Sequence, residues 1–137
     1  NNDIACGRAV FSLMEAARKH PRLCTFDMHQ CSVGHILSTT PEMVPAFLEL
    51  EVVSLRDNDI GIHGASLIST CLAINPSIQI LDLGGNLFND DAATLFANSL
   101  QSNTNLALLK LCNNNFTNAG MKTLLNSIYD DRSLNAI

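Results

Sequence analysis

The chain has 137 residues, of which 47% are hydrophobic and 15% charged, and its formal net charge is −5 at pH 7. This length and composition are typical of one well-packed globular domain and argue against an independent second domain. The negative charge and the lack of any run of Lys and Arg argue against sequence-independent nucleic-acid binding, which needs clustered cations to neutralise phosphates.

Along the chain, short strand patterns alternate with helical patterns at a constant interval. In each strand pattern, Leu, Ile or Val recur at alternate positions. The pattern begins at Leu50, Ile78 and Leu106, and the equal step between these positions is called the repeat spacing; a variant begins at Leu23, at nearly the same spacing. Alternation of this kind predicts short strands that turn every second side chain inward. Units that each hold one strand and one helix gain stability by stacking, so the constant spacing predicts a parallel sheet.

An asparagine follows each of the three later strand patterns. We expect its side-chain amide to close the strand by bonding the backbone of its own turn and of the neighbouring unit. The residues at this position are Asn58, Asn86 and Asn114, with Cys31 in the earliest pattern.

The second half of each unit has apolar residues at helical spacing, which predicts helices with one buried face. The predicted faces are Leu67, Ile68, Cys71 and Leu72; Leu95, Phe96 and Leu100; and Leu124, Leu125 and Ile128. Capping residues predict helix starts at Asn89-Asp90-Asp91 and Thr117-Asn118. Asn75-Pro76 and Asn103-Thr104 predict helix ends. Two prolines within 35–45 predict a short or irregular helix there.

These patterns predict one array over residues 1–137. It divides into a partial repeat at 1–22, repeats at about 23–49, 50–77, 78–105 and 106–133, and a partial repeat at 134–137. Neither end has the polar capping repeat that shields the core of a freestanding array. We therefore expect more repeats or capping elements to flank both ends.

The repeat resembles the ribonuclease-inhibitor type of leucine-rich repeat. Asn58-Asp59-Ile60 with Gly64-Ala65, and Asn114-Asn115-Phe116 with Gly120-Met121, carry the resemblance best, and it covers essentially the whole chain. The resemblance implies an α/β leucine-rich repeat solenoid, shaped as a horseshoe arc with parallel strands on the concave face and helices on the convex face. It also implies an intracellular protein that binds other proteins.

The outward-facing strand positions are the candidate binding surface. Val52, Ile80 and Leu108 should form an apolar stripe, which is a reasonable docking surface when charges border it. The alternative is that these three residues pack under the loops between helix and strand. The polar neighbours expected to take part in protein binding are Asp27, His29, Ser54, Arg56, Asp57, Asp82 and Lys110. Gly84-Gly85 should leave a flat spot that admits a bulky partner group, or should merely ease the turn.

Cysteine usage favours a reducing compartment, because five widely spaced cysteines cannot form a complete disulfide framework. An intracellular, cytoplasmic location is therefore expected. No apolar run approaches the roughly 18 residues that a spanning helix needs, so no membrane insertion is expected.

No pattern in the sequence favours catalysis or a bound cofactor. The spacing of Cys24, His29, Cys31 and His35 is not a standard zinc pattern. No serine lies in a nucleophile elbow, and Gly84-Gly85 lacks the Gly and Lys of a phosphate-binding loop. We expect no enzyme activity, no cofactor and no metal.

The leading hypothesis is a scaffold that binds a partner protein through the sheet and the adjoining loops. Two alternatives stay open. The chain is a regulatory or sensor module of a larger enzyme or GTPase regulator, or it is a structural subunit of a large assembly.

Overall fold

The computed structural model describes residues 24–34 and 50–130, together with the single positions 9, 12, 13, 15, 16, 19, 20 and 37. Within these residues the strands are β1 (Thr25–Asp27), β2 (Val52–Ser54), β3 (Ile80–Asp82) and β4 (Leu108–Lys110). The helices are α1 (Ile62–Ile74), α2 (Asp90–Leu100) and α3 (Asn118–Asp130). The fold is therefore α/β, as the sequence predicts.

The four strands form one parallel sheet in the order β1-β2-β3-β4. Val52 pairs with Ile80 and Ile80 with Leu108, so positions one repeat spacing apart lie side by side. The middle residue of each strand is buried, and these residues are Phe26, Val53, Leu81 and Leu109. Their outward neighbours are partly or fully exposed. The predicted parallel register is confirmed.

The core lies between the sheet and the layer of helices, in which α1 packs on α2 and α2 on α3. Phe88 and Phe96 meet edge to face there, with ring centroids 5.1 Å apart and an interplanar angle of 86°, a geometry that aromatic rings favour. The predicted helix faces are confirmed except at Leu125, which is 44% exposed. Leu125 is on the last described helix, and no further described helix covers it.

The helix starts follow the predicted capping residues. The Asn89 side chain accepts a hydrogen bond from the Ala92 N–H at 3.2 Å, and Thr117 Oγ1 accepts one from the Ala119 N–H at 3.1 Å. These bonds satisfy N–H groups that have no partner within the helix. Of the predicted helix ends, Asn75 directly follows α1, whereas α2 ends at Leu100, before Asn103.

The predicted role of the strand-closing asparagines is confirmed at Asn58, Asn86 and Asn114. The Asn86 side chain accepts from the N–H groups of Asn58 at 3.2 Å and Ile60 at 3.0 Å. It donates to the carbonyl oxygens of Leu83 and Gly84 in its own turn and to that of Leu55, directly after β2. Each asparagine thus ties one turn to the preceding one.

At the other end of the strands, Asn103 ties its own turn to the preceding one, and Asn75 bonds the backbone of its own turn. The sequence marks both residues only as helix ends. The Asn103 amide donates to the carbonyl oxygens of Leu72 at 2.7 Å and Asn75 at 3.1 Å. Its oxygen accepts from the Leu106 N–H at 2.8 Å. The Asn75 side-chain oxygen accepts from the Ile78 N–H at 3.1 Å. Both asparagines therefore accept from the N–H three residues ahead, and the signal for this was that Asn75 and Asn103 are one repeat spacing apart.

Some of the sequence predictions fall outside the described residues. The irregular helix within 35–45 and the partial repeats at either end belong to this group, apart from a few single positions. No helix in the described ranges is long and apolar enough to cross a membrane.

Candidate functional site

The open sheet face consists of the outward-facing side chains of β1 to β4, on which no described element packs. The structure brings Val52, Ile80 and Leu108 together as an apolar row across β2, β3 and β4. All three side chains are half-buried. Part of each apolar surface therefore stays in contact with solvent, as a docking surface requires.

A polar row lies beside the apolar row and consists of Asp27, Ser54, Asp82 and Lys110. Lys110 Nζ lies 3.3 Å from Asp82 Oδ2. The other oxygen of Asp82 accepts a hydrogen bond from the Gly84 N–H at 3.0 Å. Two contacts thus fix the Asp82 carboxylate, whose side chain is only 14% exposed.

Beyond the polar row, His29, Arg56 and Asp57 form a charged group. Asp57 Oδ2 lies 3.4 Å from Arg56 Nε and 3.6 Å from His29 Nδ1. All three side chains are about a third to a half exposed. Exposed pairs of this kind add about 0–1 kcal/mol to stability, so their main effect is to orient the side chains.

Arg56 crosses the sheet above Gly84. Its Nη1 lies 3.4 Å from Cys112 Sγ, although the two residues are separated by β3. A Cβ at Gly84 would lie 2.7 Å from Arg56 Nη1 and 3.1 Å from Cys112 Sγ. The contact with Cys112, and secondly the Asp57 carboxylate, raise the pKa of the Arg56 guanidinium above its ordinary value.

The predicted flat spot at Gly84-Gly85 is therefore wrong. The side chain of Arg56 fills the space over Gly84, and that of Asp57 lies over Gly85, where a Cβ would overlap Asp57 Oδ1. The alternative interpretation, that the pair eases the turn, holds for Gly85, which has a φ of +65°. Glycine adopts this backbone region without steric cost.

The sequence places the ten predicted site residues on one face. In the structure seven of them form the apolar row and the polar row. The other three, His29, Arg56 and Asp57, form the charged group beside these rows. Cys112 was missed as a contact of Arg56. The signal was present, because Arg56, Gly84 and Cys112 follow one another at the repeat spacing. What the spacing does not reveal is that a long side chain reaches over the intervening strand.

Metal ligands do not gather on this face or elsewhere in the described part of the chain, where no group of three or more His, Cys, Asp or Glu could hold an ion. Cys24 and His29 are exposed, and Cys31 Sγ donates to the His29 carbonyl oxygen at 3.4 Å. His35 lies outside the described residues.

No protein-family model and no curated protein sequence matches this chain. Solved structures do match. A structure titled leiomodin-1 actin-binding site 2 superposes with a TM-score of 0.76 at 15% identity, over 92% of this chain and 78% of that one. The tropomodulin C-terminal domain of Caenorhabditis elegans gives a TM-score of 0.77 at 15% identity, over 91% of this chain and 78% of that one. At this identity the comparisons show the fold.

These matches correct the resemblance to ribonuclease-inhibitor-type leucine-rich repeats and the horseshoe solenoid that it implied. The neighbours are tropomodulin and leiomodin domains, and the described residues of this chain form a small α/β fold of four parallel strands and three helices. The physical reason is that the repeat spacing fixes which residues pair between adjacent strands. It fixes neither the number of stacked units nor the curvature of the whole. The comparisons give no support to flanking repeats.

Proposed function

We propose that this chain is a non-catalytic, cytoplasmic protein-binding module that docks a partner protein on the open sheet face. One observation carries the proposal: the half-buried apolar row of Val52, Ile80 and Leu108 is bordered by charged side chains that are already held in place. Apolar contact area surrounded by polar groups is the usual composition of a protein–protein interface.

The fixed geometry of this face favours binding. Asp82 is held by Lys110 and by a backbone N–H, and Arg56 by Asp57 and Cys112. Side chains that are ordered before binding lose less conformational entropy when a partner docks. Val52, Ile80 and Leu108 are also on directly paired strands, which keeps the apolar row together.

Actin is the first partner to test. The leiomodin-1 domain that shares this fold is titled as an actin-binding site, and this supports actin as a candidate without assigning the residues that bind it. Recognition through the sheet face would make the apolar row its centre, where binding energy is usually concentrated.

The experiment compares the wild-type chain with the double variant Val52→Glu and Ile80→Glu in actin binding, measured by sedimentation with filaments and by anisotropy with monomers. Two carboxylates in the apolar row should weaken binding by about tenfold or more, because burying them in the interface costs desolvation energy. The control is Asn98→Glu with Gln101→Glu, which adds the same charge at exposed positions in α2 and directly after it.

Circular dichroism of both double variants checks that they fold. Unchanged binding by the Val52→Glu, Ile80→Glu variant would refute docking on the sheet face. Lack of binding by the wild-type chain would remove actin as the partner.

A further inference from the structure

The charges on the open sheet face are unevenly paired. Lys110 is matched by Asp82, and Arg56 by Asp57. Asp27 and Glu51 are exposed, and neither makes an ion pair or side-chain hydrogen bond within the described ranges. The unmatched charge on the face and directly beside it is therefore negative and lies at the β1–β2 end, with Asp27 on β1 and Glu51 immediately before β2.

The two unmatched carboxylates lie on opposite sides of the apolar row. Glu51 comes directly before Val52 on β2, and its N–H bonds the Cys24 carbonyl oxygen at 2.9 Å. Asp27 is on β1 opposite Ser54, which follows Val52 by two residues. With a rise of about 3.3 Å per residue, the two positions are separated by about 10 Å along the strands. The apolar row thus ends between two free acids.

The dimensions of the apolar row match those of a short helix. Val52, Ile80 and Leu108 are on three adjacent strands, which lie about 4.8 Å apart, so the row is about 10 Å long. An α-helix rises about 5.4 Å per turn. Apolar residues at positions i, i+3 or i+4, and i+7 of a helix laid along the row would each meet one of the three side chains.

We infer that the partner presents an amphipathic helix of about two turns, with an apolar ridge along Val52, Ile80 and Leu108 and with Lys or Arg on both sides of the ridge where it meets Asp27 and Glu51. This inference rests on the proposed function and adds the chemistry of the partner. Complementary charge at one end of the ridge also sets the direction in which the helix docks. A partner with acids at that end is repelled.

Two synthetic helical peptides test the inference. Both carry leucine at i, i+4 and i+7. One has arginines beside the ridge at one end, and the other has glutamates at the same positions. Fluorescence anisotropy should give a dissociation constant about tenfold lower for the arginine peptide, because two pairs replace two repulsions. Raising the salt to about 0.5 M should reduce this preference, since exposed charges are screened.

Charge reversal locates the effect. Asp27→Lys with Glu51→Lys should invert the preference, so that the glutamate peptide binds more tightly. The matched control is Asp91→Lys with Asn98→Lys and Gln101→Lys, which changes the net charge equally but at exposed positions in α2 and directly after it. The control variant should keep the wild-type preference.

Three results would overturn the inference: no binding of either peptide, equal binding of both, or an equal shift in the charge-reversal and control variants. None of them contradicts docking of a partner on the sheet face, which is judged separately by actin and the Val52→Glu, Ile80→Glu variant.

Discussion

A single buried side chain, Asn86, bonds five backbone groups. It accepts from two N–H groups and donates to three carbonyl oxygens, those of Leu55, Leu83 and Gly84. The residue is 4% exposed, so water cannot easily replace it. A buried backbone group that loses its partner costs about 1–3 kcal/mol, which makes this one amide a major determinant of stability.

Replacing Asn86 by alanine should lower the free energy of unfolding by about 3 kcal/mol or more, because the N–H groups of Asn58 and Ile60 and the carbonyl oxygen of Leu55 lose this partner together. Urea denaturation measures the change. Asn115→Ala is the control: the Asn115 side chain is exposed, and its loss should cost less than about 0.5 kcal/mol. Equal losses in the two variants would contradict the role given to Asn86.

For single residues, the sequence predicts the hydrogen bonds of those polar side chains whose partners are set by the local backbone. Asn86 could be recognised because its place after a strand dictates which backbone groups it reaches. The contact of Arg56 with Cys112 could not be recognised, because a long side chain has many rotamers. The absence of a Cβ at Gly84 leaves room for the one observed.

Among the elements, the first residue of α2 is joined to the residue directly before α3. Thr117 donates from its N–H to Asp90 Oδ1 at 2.8 Å and from its hydroxyl to Asp90 Oδ2. Gly120 permits this approach, since a Cβ there would overlap Asp90 Oδ1. The Thr117 hydroxyl, followed by the Thr117 N–H, holds the pKa of the Asp90 carboxyl below its ordinary value.

A lowered pKa in the folded state means that the Asp90 carboxylate favours folding at a pH above its unfolded pKa, about 3.9. This contribution is lost as the pH falls through the lower, folded pKa. Asp90→Asn should therefore remove part of the stability of the wild-type chain at pH 7 but little at the lowest pH at which both still fold. Thermal denaturation across this range measures the difference. A stability difference independent of pH would contradict the assignment.

The sequence predicts which face of each helix is buried, because the apolar spacing is regular. It fails at Leu125, whose burial depends on a neighbour rather than on its own helix. It likewise does not predict the Asp90–Thr117 contact, since this joins two helix starts through side chains whose proximity follows only from helix packing.

At the scale of the molecule, the four described cysteines differ in exposure, and Cys31 is intermediate among them. Cys24 and Cys112 are exposed, whereas Cys71 is buried between α1 and the sheet. Burial raises the pKa of the Cys71 thiol to about 12. The thiolate is the reactive form of cysteine. Burial therefore protects Cys71 in two ways, because it blocks access of reagents and keeps the thiol protonated.

Iodoacetamide at pH 8 should modify Cys24 and Cys112 quickly, and Cys71 only at the rate at which the core opens. Peptide mass spectrometry follows each site, and a denatured sample gives the unprotected rate. Labelling of Cys71 as fast as Cys112 would contradict burial.

The raised pKa of Cys71 also affects stability. The neutral thiol favours folding below its ordinary pKa, and this contribution is lost as the pH rises from 9.0 toward about 12.

The repeat spacing predicts the parallel sheet and its register because it acts between adjacent strands. The overall shape depends on how many units stack and how each is rotated, and no residue pattern within one unit determines this. The candidate site follows the same division. Its apolar and polar rows could be predicted from the repeat spacing. The ion pairs of Arg56 and Lys110, which leave Asp27 and Glu51 without a partner in the described residues, could be found only from side-chain geometry.

Gly84 has one further consequence. Because the guanidinium of Arg56 lies over a position without a side chain, a larger residue at 84 would require this positive charge to shift. An uncharged residue there would leave the net charge of the protein unchanged. The amount of charge on this surface and its location are thus controlled at different positions in the sequence. A substitution at residue 84 can therefore alter the position of a charge on this face without altering the total charge of the protein.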